Sequence, residues 1–143
     1  GIIFSMNPTY EAYWGGKGKM YEQRLGERYV RTNCFREIID SGVCICGGSD
    51  SDITEFNPLI GISAAINHQV EYHRASVYET LEMYTCNGAY AIFEEEEKGT
   101  LEVGKLADVI ILDGDIMMTK KEKIQDMSVL STIKSGELIY NRL

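Results

Sequence analysis

Asp50 is the residue whose neighbours best equip it for chemistry. It lies in the polar run Gly47-Gly48-Ser49-Asp50-Ser51-Asp52, directly after the apolar stretch Val43-Cys44-Ile45-Cys46. A carboxylate at the end of a buried strand can accept a proton from a water activated by a divalent metal and return it to a leaving amine. Glycines at 47 and 48 would let the backbone approach a reacting centre. The residue types alone also allow a plainer role, in which Asp50 or Asp52 caps the following turn through local backbone hydrogen bonds. Asp52 is assigned that capping or surface role.

Other metal-ligating residues are sparse. His68 and His73 both follow Asp50, and neither is expected at a strand end; surface or helix-terminal positions are expected for both. Cys34, Cys44, Cys46 and Cys86 form no C-x-x-C pair and sit in apolar segments, as reduced thiols of a cytoplasmic protein do. Cys44 and Cys46 share a strand face, but C-x-C in an apolar run is a poor signal for structural zinc, even with His68 and His73 added. Asp50-Ser51-Asp52 begins like a calcium loop, yet its twelfth position is Gly61 instead of glutamate. Gly47-Gly48-Ser49 lacks the Gly-Lys-Ser/Thr close of a phosphate loop. Tyr10, Tyr13, Trp14 and Tyr21 are compatible with a substrate mouth and equally with exposed positions.

The elements that must hold these residues are read from periodicity and punctuation. Gly1 to Met6 reads as a strand ending at Asn7-Pro8. Tyr10 to Gly18, with three glycines and no period, reads as a loop. Helices are expected over Lys19–Tyr29 and Cys34–Ser41, the latter with Phe35, Ile38 and Ile39 on one face and Gly42 as its C′ residue. Val43–Cys46 has the two-sided apolarity of a parallel strand. Asn57-Pro58 opens a helix with Leu59, Ile62, Ala65 and Ile66 as its buried stripe. Ser76 and Glu79 form a capping-box pattern, starting a helix that runs to about Ala91. Glu94 to Glu97 reads as a solvated edge. After Lys98 the texture turns to β, with strands at Asp108–Asp113, Ser128–Lys134 and Glu137–Tyr140 and a hairpin at Ser135-Gly136.

Bulk properties narrow the classes. A chain of 143 residues with 44% hydrophobic residues can bury a core. Its formal charge of −8 argues against nucleic acid as a partner. No apolar run approaches the roughly 20 residues of a membrane span. The chain opens on a strand, without an initiator Met or a basic n-region, so a boundary inside a longer protein is expected.

Three stretches in order carry a family resemblance: Gly48-Ser49-Asp50, the helix end Tyr84-Thr85-Cys86-Asn87-Gly88-Ala89, and Gly99-Thr100-Leu101-Glu102-Val103-Gly104-Lys105-Leu106-Ala107-Asp108. Ser5-Met6-Asn7-Pro8, Asn57-Pro58-Leu59 and the tail from Val129 to Tyr140 extend it over nearly the whole chain. Together they resemble the C-terminal portion of the amidohydrolase superfamily, in the branch of N-acyl-D-amino-acid deacylase-like and imidazolonepropionase-like enzymes, which includes proteins named exoenzyme regulatory protein.

That resemblance implies an α/β fragment. Residues 1–92 would supply the last two βα units of a (βα)8 barrel, and residues 93–143 the C-terminal strands of a composite β-sandwich. Asp50 would then touch the metal, zinc by expectation, or its bound water. The other ligands implied by the resemblance, histidines on earlier strands, are not in this sequence, and His68 stands where similar proteins often carry arginine. The implied function is hydrolysis of C–N bonds in amides or cyclic amides, with a small-molecule amide as substrate. The alternative is a non-catalytic regulatory or scaffold protein on the same frame. Alone, the chain is expected to be inactive, to bind no metal, to show no zinc-dependent change in melting temperature, and to self-associate through uncovered apolar faces.

Overall fold

The computed structural model describes residues 1–142; Leu143, the end of the expected second part, lies outside them. Two short strands, β1 (Ile3–Met6) and β2 (Cys44–Gly47), pair in parallel with Ile3 opposite Cys44 and Met6 opposite Gly47. Parallel pairing needs a long crossover, and α1 (Thr9–Trp14), α2 (Met20–Leu25) and α3 (Phe35–Asp40) provide it. Gly42 follows α3 at φ 75°, and its amide bonds the carbonyl of Ile39 at 2.9 Å, the left-handed stop expected there.

Two expectations for the crossover between β1 and β2 needed correction. The Tyr10–Gly18 loop contains α1, a helix without an apolar period because Thr9 and Glu11 are its buried residues. The long helix expected from Lys19 to Tyr29 ends at Leu25. Gly26, at φ 59°, turns the chain into a 3-10 segment over Gly26–Arg31.

After β2, α4 (Pro58–Ile66) starts at Asn57, whose side chain accepts from the Leu59 amide at 3.1 Å. Beyond the expected stripe, Gly61, Ser63 and Ala64 are also buried, so α4 is enclosed on most of its surface. A 3-10 turn at Glu71–His73 leads to α5 (Val77–Tyr84), which has the capping box of Ser76 and Glu79. The chain breaks at Thr85, whose hydroxyl bonds back to the Leu81 carbonyl at 2.7 Å. The helix expected to reach Ala91 is therefore two, α5 and α6 (Cys86–Ala91). Asn87 of α6 donates to the Ile45 carbonyl at 3.0 Å and ties that helix to β2.

The β-rich region holds β3 (Val109–Leu112), β4 (Val129–Lys134) and β5 (Glu137–Asn141), an antiparallel sheet in the order β3-β4-β5. Ser135 and Gly136, at φ 49° and 82°, form the tight turn between β4 and β5. The chain is thus a mixed α/β assembly of two small sheets, without a closed barrel among the described residues. One core cluster joins Phe35, Ile45, Ala65, Ala75 and Met83. A second joins Leu59, Ile62 and Ile66 to Ile124, which lies in the 3-10 segment Lys121–Asp126 before β4. No helix among the described residues is long and apolar enough to cross a membrane.

Candidate active site

Asp50 stands three residues beyond the C-terminal end of β2, exposed and at φ 51°. Aspartate tolerates this left-handed conformation better than most residues. The loop that carries it is anchored at both sides. The Gly48 amide extends the strand pairing by bonding the Met6 carbonyl at 2.8 Å, and the buried Thr54 hydroxyl donates to the Ser49 carbonyl.

Tyr10, just after β1, donates its phenol to Asp50 Oδ2, so the chain leaving one strand meets the chain leaving the other. This bond to the carboxylate pushes the Tyr10 phenol above its ordinary pKa. One turn on, Tyr13 donates to Glu55, raising its own pKa and lowering that of Glu55. Trp14 lies edge-on to Tyr10 with ring centroids 4.5 Å apart. Tyr10 and Tyr13 therefore latch α1 to the loop after β2, while Tyr21 is half-buried and outside that latch. Beside Asp50, a cleft of about 170 Å³ is lined by Thr9, Gly47, Ser49, Phe56, Pro58 and Tyr84.

The glycine at 47 also has a packing role that its sequence neighbours do not reveal. A Cβ there would lie 2.6 Å from the Tyr84 ring, and one at Gly61 would collide with the Tyr84 hydroxyl. Both glycines make room for this tyrosine, whose phenol burial pushes well up from its ordinary pKa.

His68 and His73 depart from expectation, since both are buried, at 1% and 4% exposure. His68 Nδ1 accepts from the Val70 amide at 3.0 Å, which leaves Nε2 as the donor. Nε2 faces the Thr32 carbonyl at 3.1 Å and Glu11 Oε2 at 3.4 Å. Burial alone would raise the Glu11 carboxyl, but hydrogen bonds from His68 and Asn33, helped by the charge of Lys19, hold it below its ordinary value. His73 Nε2 faces the Val30 carbonyl at 3.0 Å. These partners lie 36 and 43 residues away, so no local sequence signal marks them.

Cys44 is half-buried and Cys46 buried, and all four cysteines are unpaired. Asp52 is exposed. Among the described residues Asp50 belongs to no group of three His, Cys, Asp or Glu side chains close enough to share an ion. It fits a single coordination position, or a hydrogen bond to a metal-bound water, and cannot hold a metal alone.

Comparison with known proteins places the chain in a family. A family model described as "Amidohydrolase family" matches residues 1–140. The putative amidohydrolase YtcJ of Bacillus subtilis is 26% identical over 83% of this chain and 25% of its own length. The N-substituted formamide deformylase of Arthrobacter pascens is 29% identical over 99% of this chain and 27% of its own. An uncharacterized metal-dependent hydrolase of Pyrococcus furiosus superposes with a TM-score of 0.67 at 28% identity, covering 81% of this chain and 24% of that one. The chain spans about a quarter of the length of these relatives.

Proposed function

This chain belongs to the amidohydrolase family, and on that footing we propose that it is the C-terminal part of a metal-dependent hydrolase of amide or cyclic amide C–N bonds. In this reading β1 and β2, with the helices that follow them, are the last two βα units of a (βα)8 barrel. Strands β3 to β5 belong to its composite sandwich, with the division near residue 92. The observation that carries the reading is the position of Asp50. It stands past the C-terminal end of a parallel strand, the side on which barrel enzymes build their active sites, and its neighbour Tyr10 follows the adjacent strand.

When bound, a divalent metal such as zinc supplies a water acidic enough to ionise near neutral pH. Asp50 Oδ1 would be the group to take a proton from the attacking water and hand it to the leaving nitrogen. Tyr10, donating to Oδ2, fixes the carboxylate plane and leaves Oδ1 for the reaction. The remaining metal ligands come from outside these residues. The 143-residue chain is accordingly inactive alone, and its unpaired thiols suit a cytoplasmic enzyme.

The test is the longer protein that contains this chain, purified and offered N-formyl, N-acyl and cyclic amides before and after chelation. Hydrolysis of at least one class, lost on chelation and restored by zinc, is the expected result. A metal-free protein inert on every class would return the regulatory or scaffold reading.

A further inference from the structure

The residues around His73 assemble a second constellation, which shares no residue with the Asp50 site. Cys34 immediately precedes α3 and Glu37 is three residues on, a spacing that puts both side chains on one side of its first turn. His73, from the 3-10 turn after α4, packs against them. One donor atom from each of Cys34, Glu37 and His73 can be chosen so that all three lie within 4.8 Å of one another. The sulfur is 3.6 Å from His73 Nε2, and Glu37 Oε1 is 3.8 Å from His73 Nδ1.

His73 is held as a ligand would be. With Nε2 directed at the Val30 carbonyl, that nitrogen carries the proton, and the lone pair sits on Nδ1. Nδ1 is buried and has no hydrogen-bond partner, in a residue only 4% exposed. A buried acceptor without a partner is rare and calls for an explanation. Tetrahedral zinc with sulfur, nitrogen and oxygen ligands sets donor-to-donor separations of roughly 3.3–3.6 Å. Cys34 Sγ rests against Nε2 and Glu37 against Nδ1, so coordination through Nδ1 requires the half-buried Cys34 side chain to rotate towards that nitrogen and Glu37 to close on it.

We propose that Cys34, Glu37 and His73 form a site for a zinc-class divalent cation, with a fourth position open to solvent. Binding forms a metal–sulfur bond, breaks the Cys34 thiol's 3.3 Å contact with the Arg31 carbonyl and releases the thiol proton to solvent, while Glu37 offers Oε1 and keeps Oε2 towards Arg31. The site would fasten the start of α3 to the turn after α4. Burial pushes the free Cys34 thiol up; Glu37 and Glu11 add to this and Arg31 opposes it.

The probe is cobalt(II) added to the 143-residue chain, followed by competition with zinc. One equivalent should bind with a thiolate-to-cobalt charge-transfer band, and zinc should abolish it and raise the melting temperature by several degrees, reversing the sequence expectation. C34S should remove the band, H73Q should weaken binding at least tenfold, and C86S should change neither. A band that survives C34S, or none at millimolar cobalt, overturns the site. Should C34S fail to fold, zinc must slow iodoacetamide modification of Cys34 in the unaltered chain at least tenfold while leaving Cys86 unaffected; equal modification with and without zinc refutes the proposal.

Discussion

The α/β region up to Ala91 and the β-rich region after Phe93 bury their side chains very differently. In the first, Phe35, Ala65 and Ile66 have no exposure and Ile45 and Met83 almost none. In the second, Ile124 and Ser131 alone are buried among the described residues, and every position of β5 is exposed. Leu138, Ile139 and Tyr140 lie 56%, 58% and 43% open. The first core cluster is closed by side chains of the α/β region itself, whereas the β-rich region is anchored through Ile124, seated among Leu59, Ile62 and Ile66, with Leu112, Ile116 and Met127 packed around it. Apolar strands left open in this way are docking surfaces, and on the proposed architecture the rest of a sandwich covers them.

Paired substitutions sharpen this contrast. Ile66→Ala should cost about 2–5 kcal/mol in denaturant unfolding, the range for a large buried aliphatic residue. Leu138→Ala should change stability by less than about 0.5 kcal/mol. Equal costs would break the comparison.

A smaller effect separates the two regions by pH. Arg36 of α3 grips Glu79 of α5 through two hydrogen bonds, at 2.6 and 3.0 Å, and Glu79 also closes the capping box. These bonds, the Arg36 pair first, hold its carboxyl at about 2 against an ordinary 4.5. Because the folded value is depressed, the stabilisation is complete above about pH 4.5 and is lost as pH falls towards 2. Glu79→Gln should cost about 1–2 kcal/mol at neutral pH and flatten the acid limb of the stability curve. An unchanged limb would assign the acid sensitivity elsewhere.

The start of α4 carries a still smaller term. Asn57→Ala removes the side-chain cap on the Leu59 amide and should cost about 1 kcal/mol. The smallest stability effect is expected on β5, where Ile139→Lys should leave unfolding nearly unchanged and reduce self-association. Sedimentation of the unaltered chain as a clean monomer would remove self-association from the account.

What could be read beforehand follows the range of the interactions. β2, the Asn57 cap, the Ser76 capping box and the Ser135-Gly136 hairpin are each specified within a few residues, and each was legible. The α1 helix was not, because it is held by the burial of Thr9 and Glu11 and by tyrosine bonds to acids 40 and 42 positions away. The break at Thr85 left its hint in a hydroxyl able to bond back to Leu81. Burial of His68 and His73 was illegible, since the carbonyls that satisfy them belong to Thr32 and Val30. The placement of Asp50 past the end of β2 was legible, whereas its contact with Tyr10 required the fold.

The most direct test compares Asp50→Asn with Asp52→Asn in the longer protein at saturating metal. The account predicts a loss of kcat of roughly 10²–10⁴ for Asp50→Asn, the range for removing a proton-transfer group, with metal content retained and Asp52→Asn within about twofold of the parent. An Asp50→Asn enzyme as active as the parent would contradict it.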